Sequence, residues 1–174
     1  MTLFLLKKLI KEGFYLWVII FFRPKLRDLT KGARLEFIRK FRYLDEKNVA
    51  EELGLGGKDL ARTIRDYERN ATKPLPGRLE ELAELYEVSI DAIRDYDLSN
   101  PIDLIYIAMW QEELMPYFDI NIDDFSNNLN EYTKYLAKGL NEWKEMKEKR
   151  ENLEIPIQEY INWKLNFRLE SEIQ

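Results

Sequence analysis

A mostly cationic strip is expected on one face of a short helix over about residues 59–69. At about 100° per residue, the polar side chains of this helix lie roughly opposite the apolar residues Leu60 and Ile64, which face inward. The strip consists of Arg62, Arg65, Asp66 and Arg69. These side chains have the reach to touch base edges and phosphate groups, so the chemistry that the strip predicts is recognition of a nucleic acid.

Two short helices joined by a glycine-bearing turn are predicted over residues 44–74. Asp45 can cap the first helix, whose apolar residues Val49 and Leu53 lie one turn apart, and Gly54 falls just past its end. The second helix begins after the glycines and carries the cationic strip. This pattern is typical of a helix-turn-helix, in which the second helix is the recognition helix.

A wider set of positions extends this pattern in both directions along the chain. The set is Leu35, Ile38, Arg39, Leu44, Val49, Ala50, Leu53, Gly54, Ile64, Tyr67, Glu68, Pro74, Leu82, Ala83, Val88 and Ser89. Together these residues resemble the phage-repressor class of helix-turn-helix DNA-binding domains, the XRE-type class of Cro and lambda repressor, over about residues 30–96. The resemblance implies an all-α domain of five helices that binds double-stranded DNA, as a homodimer on a two-fold site.

The resemblance also implies roles for individual side chains. Arg62 and Thr63, near the start of the recognition helix, and Asp66, one turn further on, would face the major groove, with Arg62 as the best candidate for reading guanine. The candidates for phosphate contacts are Lys58, Arg65, Arg69 and Lys73. Arg39 of the first helix would form an ion pair with Glu68 at the end of the recognition helix.

Two features depart from the family pattern. The glutamine that commonly starts the second helix and touches a phosphate is Glu46 here, which a phosphate would repel. Nine residues separate Gly54 from Ile64, so the turn is about four residues longer than the common form. A lengthened turn of this kind resembles variants in regulators of Gram-positive mobile elements. It would either carry Lys58 to the DNA backbone or shift the recognition helix.

Helices are also predicted on both sides of this motif. The DNA-binding domain, residues 29–98, begins with a helix capped by Thr30 and ends with an amphipathic helix and a short helix capped by Ser89. Asn100-Pro101 then starts a helical C-terminal region, residues 99–174. We therefore expect an all-α chain in which the helix-turn-helix domain is followed by a helical hairpin.

The C-terminal region contains a long apolar stripe. From Asp123 or Asp124 to about Asn152, apolar residues such as Phe125 and Trp143 recur at alternating three- and four-residue steps, which predicts a helix that needs a partner. After Ile155-Pro156 a shorter helix can fold back onto it as a hairpin, or it can pair between two chains. A role for this region in dimerisation or effector binding follows as a hypothesis.

The first 28 residues form an apolar extension. Residues 3–22 hold 15 apolar positions of 20, but only Phe14 to Phe22 is uninterrupted, and nine helical residues span about 14 Å of the roughly 30 Å hydrocarbon layer. Arg23-Pro24 stands where a cleaved signal peptide needs small residues. Neither a spanning helix nor a secretion signal is therefore expected. Three alternatives remain: a helix docked on the domain, a leader upstream of the true start, and an interfacial membrane anchor.

The composition excludes several kinds of catalytic site. The chain has no Cys and no His, which removes cysteine nucleophiles, His-dependent triads, and Cys or His metal sites. Carboxylate pairs such as Glu142/Glu145 and Glu148/Glu151 are better explained as a solvated helix face, since di-metal bundles pair such groups with histidine. We therefore expect no enzyme activity, no cofactor and no metal and, because cysteine is absent, a reducing cytoplasmic location.

The charge of −5 is divided unevenly along the chain. Residues 30–78 hold 12 Lys and Arg against 8 Asp and Glu, a net of +4, whereas residues 99–174 hold 8 against 15, a net of −7. The basic part coincides with the helix-turn-helix. The sequence thus predicts a sequence-specific DNA-binding transcriptional regulator. The alternative, favoured by Glu46, the long turn and the acidic C-terminal region, is a protein–protein interaction module that keeps the helix-turn-helix as a scaffold. Membrane contact would come only through residues 3–22 and is not expected.

Overall fold

The computed structural model of the chain describes residues 24–115, 118 and 131–169, and every regular element in them is a helix. The all-α class predicted from the sequence is therefore confirmed for this part of the chain. The eight helices found there are α1 (Lys31–Phe41), α2 (Glu46–Glu52), α3 (Arg62–Glu68), α4 (Pro76–Tyr86), α5 (Ile90–Ile93), α6 (Pro101–Leu114), α7 (Glu131–Glu151) and α8 (Ile157–Leu165).

Side chains next to the helix starts determine where several of these helices begin. The hydroxyl of Thr30 accepts a hydrogen bond from the backbone N–H of Ala33, and the carboxylate of Asp45 accepts one from Asn48 at 2.7 Å. Asn100 caps α6 in the same way. Each cap satisfies an N–H group that has no partner within the first turn, and a cap typically contributes about 1 kcal/mol.

One continuous apolar core joins the helices on the two sides of position 98. The ring of Phe37 on α1 meets the ring of Trp110 on α6 edge to face, with centroids 5.5 Å apart. The backbone N–H of Ser89 donates to the carbonyl of Leu165, at the end of α8, at 3.0 Å. The region predicted to bind DNA and the C-terminal region therefore pack together as one unit.

A fully buried carboxylate, that of Asp103 on α6, strengthens this junction. Arg94, which follows α5, donates to both oxygens of Asp103, and the backbone N–H of Asp97 donates to Oδ2 at 2.7 Å. The more exposed carboxylate of Asp91 also accepts from Arg94, at 2.7 Å. Hydrogen bonding to Asp103 raises the pKa of Arg94 above its ordinary value despite partial burial, so the guanidinium remains charged.

The apolar stripe of α7 packs within the chain where the structure describes it, with its centre buried and Leu136 and Met146 partly buried. Leu140 and Trp143 are buried, and α7 packs against α6 and α8. The indole N–H of Trp143 donates to the hydroxyl of Tyr160 on α8 at 2.8 Å. The start of the stripe, from Phe125, lies outside the described residues. A second copy of the chain cannot use Leu140 and Trp143 as its contact without unpacking this core.

Lys164 on α8 is buried among acceptors from α6. Its ammonium donates to Glu112 at 2.8 Å and to Glu113, and the hydroxyl of Tyr160 donates to Glu112 at 2.8 Å. The cavity beside these groups measures about 10 Å³, which holds about one water molecule. The cluster therefore fastens α8 to α6 and has no room for a ligand.

The end of the predicted apolar extension, residues 24–28, packs on the helices. Leu26 is buried in the core, and Arg27 donates to the carbonyl of Glu68 at 3.0 Å. The docked helix, the leader and the membrane anchor were alternatives for residues 1–28, of which residues 1–23 lie outside the described residues. Of the helices that the structure does describe, none combines the length and the apolarity needed to cross a bilayer.

Candidate nucleic-acid interface

α3 lies against α1 and α2 with one apolar face inward. Ile64 is 1% exposed, and Leu60 and Tyr67 pack partly buried against the core. On the opposite side of the helix, 76% of the Arg62 side chain is exposed. The inner and outer faces are those that the spacing of the apolar residues indicates.

α3 begins at Arg62, three residues later than the predicted start at about residue 59. Asp59 could have capped a longer helix, but its carboxylate accepts a hydrogen bond from Arg65 instead. Ala61 then stands at the N-cap position without a side-chain acceptor. Residues 59–61 therefore form a turn, in which the N–H of Arg62 donates to the carbonyl of Asp59 at 3.2 Å.

A buried ion pair holds the C-terminal end of α3. Arg39 on α1 donates through Nε to Oε1 of Glu68 at 2.6 Å and through Nη2 to Oε2 at 3.0 Å. This pairing is the one that the family resemblance implies. Burial alone would lower the pKa of Arg39, but the hydrogen bond and the negative charge of Glu68 raise it above its ordinary value. The guanidinium therefore stays charged inside the protein.

The start of α1 touches the end of α3 backbone to backbone. The N–H of Gly32 donates to Oδ1 of Asn70 at 2.9 Å, and Nδ2 of Asn70 donates to the hydroxyl of Thr30 at 2.9 Å. Asn70 adopts a φ of +58°, a left-handed conformation that Asn tolerates. A β-carbon at Gly32 would lie 2.4 Å from the carbonyl oxygen of Glu68, so only glycine fits there.

Gly32→Ala is expected to lower the free energy of unfolding by about 2 kcal/mol, because overpacking typically costs about 1–3 kcal/mol and the opposing atoms are backbone. Chemical denaturation followed by tryptophan fluorescence measures the change. Gly77→Ala is the matched control, since a β-carbon at Gly77 in α4 meets open space. An unchanged unfolding midpoint for Gly32→Ala would show that α1 and α3 can separate at little cost.

Four of the predicted contact residues are exposed, namely Lys58, Arg62, Arg69 and Lys73. The guanidinium of Arg62 lies 3.6 Å from the carboxylate of Asp66, one turn along α3. Exposed pairs of this kind contribute about 0–1 kcal/mol, so Arg62 can exchange Asp66 for another partner at little cost. Thr63 and Asp66 are half-buried on the same helix.

Arg65, also predicted to contact phosphate, is engaged within the protein. Its Nη1 donates to Oε2 of Glu46 at 3.2 Å, and its Nη2 donates to Asp59. Oε1 of Glu46 lies 3.8 Å from Arg39. The carboxylate that was expected to repel a phosphate is thus shared by two guanidinium groups. Arg65 is held by two carboxylates, whereas Arg62 has one looser contact with Asp66 at 3.6 Å.

An open groove of about 440 Å³ lies between the end of α2 and α4. Its lining residues are Glu52, Leu53, Gly54, Glu81, Glu84 and Leu85. Three of these six are carboxylates, which repel the phosphates of a nucleic acid. This groove is therefore a poor surface for a nucleic acid, in contrast to the exposed cations on α3 and the loops on either side of it.

Reasoning from the sequence missed three residues that position α3, namely Arg27, Gly32 and Asp59. Glycine inside a helix often marks a close approach of two backbones, so Gly32 carried a signal that went unused. Arg27 precedes the first helix, where no periodicity assigns neighbours. The contact between Asp59 and Arg65 depends on the path of the turn, which spacing along the sequence does not define.

No family model, curated protein or solved structure matches the chain. The function of the protein must therefore be inferred from the arrangement of α1, α2 and α3 and from the side chains that they present.

Proposed function

We propose that the protein is a sequence-specific DNA-binding transcriptional regulator in which α2 and α3 act as a helix-turn-helix. The observation that carries the proposal is the orientation of α3. Ile64 is buried on one face, while Arg62, in the first turn of the helix, points its guanidinium to solvent on the other. An arginine at the start of a recognition helix is the residue best suited to a bidentate contact with guanine.

The contacts that hold α3 in place favour a role for this helix in reading DNA bases. The buried pair of Arg39 and Glu68 holds one end of the helix, and Arg27 binds the carbonyl of Glu68. A helix fixed in this way presents Arg62 in a defined direction, which a base contact requires and a simple charge contact does not. In this proposal Thr63 and Asp66 face the bases beside Arg62, and Asp66 can accept from the amino group of cytosine.

Exposed cations around α3 supply the contacts to the DNA backbone. Lys58 lies in the turn before the helix, Arg69 directly after it, and Lys73 in the following loop. Phosphate contacts of this kind set the register of a protein on the duplex and make its affinity depend on salt. We further propose that the protein binds DNA as a homodimer on a two-fold site, as helix-turn-helix proteins of this size usually do. The dimer surface lies outside the buried residues of α7 and α8.

Arg62→Ala is expected to weaken binding to the preferred sequence by about 5- to 150-fold, because a bidentate base contact discriminates by about 1–3 kcal/mol. Affinity for random duplexes should change little, since the phosphate contacts persist. The preferred sequence is first obtained by selecting genomic fragments on the purified protein. Fluorescence anisotropy across a salt series then measures both affinities.

Lys73→Ala is the matched control, because it removes an exposed cation of the same interface. It should weaken all duplexes alike and reduce the slope of affinity against salt by about one phosphate contact. If Arg62→Ala lowered the affinity for specific and random duplexes equally, Arg62 would contact only the DNA backbone. An intact protein that selects no sequence and shows no salt dependence would overturn the proposal.

An interaction module that retains the helix-turn-helix as a scaffold is the alternative function. Glu46 was one of the sequence features in its favour, beside the long turn and the acidic C-terminal region. Because Arg65 and Arg39 surround that carboxylate, it presents less negative charge to an approaching phosphate than the sequence suggested. The acidic groove between α2 and α4 remains a surface for a basic partner, and binding of the intact chain to proteins but not to DNA would favour this alternative.

A further inference from the structure

Five charged side chains of alternating sign run from the core to the surface beside α3. Glu68 accepts from Arg39 at 2.6 and 3.0 Å, Arg39 lies 3.8 Å from Glu46, and Glu46 accepts from Arg65 at 3.2 Å. Arg65 also donates to Asp59, which ends the series. The series connects α1, α2, α3 and the turn of residues 53–61 in one network.

Burial decreases steadily along this network. The side chains of Glu68 and Arg39 are 6% and 8% exposed, those of Glu46 and Arg65 are 29% and 32% exposed, and that of Asp59 is 54% exposed. Glu68 and Arg39 lie in the packed interior, whereas Asp59 lies in the turn. Arg65 therefore connects Asp59 to the buried part of the network through Glu46.

Apart from this network, Leu55 and Leu60 of the turn pack partly buried against the core, and few hydrogen bonds hold the turn. Its first residues are held by hydrogen bonds from the N–H groups of Gly54 and Leu55 to α2, and Arg78 donates to the carbonyl of Leu53 at 2.8 Å. For residues 56–60, the bond between Asp59 and Arg65 is the one side-chain hydrogen bond to a helix among the described residues. A turn of this length without that bond would sample many backbone conformations.

Asp59, through which Arg65 holds the turn, lies close to Lys58 and Arg62, the two residues to which the proposed function assigns DNA contacts at this end of α3. Lys58 directly precedes Asp59, and the carbonyl of Asp59 accepts the backbone N–H of Arg62. Fixing Asp59 therefore fixes where Lys58 stands and how the first turn of α3 starts. In contrast, both terminal nitrogens of Arg65 already donate to carboxylates, so a phosphate would have to displace two anions to bind it bidentately.

We infer that Arg65 is a positioning residue, which clamps the long turn to α2 through Asp59 and Glu46 and thereby orients Lys58 and Arg62, and that it does not bind phosphate. The inference deepens the proposed function and rests on it only for the effect on DNA. The clamp itself is a property of the free protein and can be measured without DNA.

The first test is amide hydrogen exchange in the full-length protein without DNA. Arg65→Gln and Asp59→Asn should each accelerate exchange of the amides of Leu55 and Arg62 by about tenfold or more, because these amides donate to the carbonyls of Ala50 and Asp59 at the two ends of the turn and the clamp restricts local opening there. Lys47→Gln, which breaks the exposed pair of Lys47 and Glu51 on α2, should leave these amides unchanged. Unchanged exchange in both clamp variants would overturn the inference. Arg65→Lys is a further variant, which keeps the positive charge but lacks the planar guanidinium that bridges two carboxylates. It should accelerate exchange as well.

The second test compares DNA binding by the same variants. A positioning role predicts that Arg65→Gln and Asp59→Asn act alike: both lower the ratio of specific to random affinity by about tenfold, and both change the salt slope in the same direction, because each releases Lys58 and Arg62 together. A phosphate-binding Arg65 predicts the opposite pattern. Arg65→Gln would then reduce the salt slope by about one contact, and Asp59→Asn, by releasing the guanidinium, would tighten binding to all duplexes.

The two tests separate failure of the inference from failure of the proposed function. If the intact protein binds no DNA, the proposed function fails, while accelerated exchange in the clamp variants still supports the clamp. If the protein binds DNA with the pattern expected for a phosphate contact, the proposed function stands and the positioning role of Arg65 is overturned.

Discussion

Arg94→Met is expected to lower the free energy of unfolding by about 4 kcal/mol, because it leaves the Asp103 carboxylate without a counter-charge in the core. Asp103 is 0% exposed, and Arg94 donates to both of its oxygens. Removing one partner of a buried ion pair typically costs about 3–5 kcal/mol. Methionine keeps much of the aliphatic stem, so the loss reports mainly on the charge. In a chain of this size the melting temperature should fall by roughly 10 °C.

Thermal unfolding followed by circular dichroism measures this loss. Arg62→Met is the matched control, because it breaks the ion pair of Arg62 with Asp66 at the surface. The Arg62 side chain is 76% exposed, so losing this pair should cost under about 1 kcal/mol. Asp103→Asn should cost less than Arg94→Met, because it leaves no buried carboxylate unpaired. If Arg94→Met lost no more than the control, the junction between α5 and α6 would have to admit water to Asp103.

Glu68→Ala is expected to cost about 3 kcal/mol, because the guanidinium of Arg39 then stays buried without the carboxylate that it binds at two points. Urea denaturation measures the loss. Glu51→Ala is the control, because its pair with Lys47 lies at the surface of α2 and contributes little.

Replacing both partners of the buried pair distinguishes a missing charge from missing packing. Arg39→Met combined with Glu68→Leu should recover most of the stability that Glu68→Ala loses, because an apolar pair of similar volume carries no desolvation cost. A double variant as unstable as Glu68→Ala would mean that the hydrogen bonds of Arg39, including the one to the carbonyl of Leu44 at 2.9 Å, matter more than its charge.

Features set by local chemistry were predictable from the sequence. Thr30, Asp45 and Ser89 cap the helices that they were expected to cap, because a cap depends only on the side chain and the next few N–H groups. The inward face of Ile64 follows from helical periodicity in the same way. The left-handed backbone at Asn70 also follows from local chemistry, since Asn is one of the few residues that tolerate it.

Features that depend on the path of the chain between helices were not predictable. α3 begins at Arg62 and not near residue 59, because Asp59 binds Arg65. This contact exists only for one conformation of the long turn. The apolar stripe of α7 correctly indicated a need for partner helices. Periodicity alone did not decide between partners in the same chain and partners in a second chain, and Leu140 and Trp143 turn out to be buried within the chain.

The hydrogen bond between the N–H of Ser89 and the carbonyl of Leu165 has a consequence for biosynthesis. These residues are far apart in the sequence, and the core around them includes Phe37 from α1 and Trp110 from α6. Although nascent chains generally fold from the N-terminus as translation proceeds, α1 to α5 cannot complete their packing until α8 has left the ribosome. Until then the apolar faces of α1 and α5 remain uncovered. A nascent chain stalled before residue 157 should therefore recruit chaperones that bind exposed apolar segments, and the chain released from the ribosome should no longer bind them.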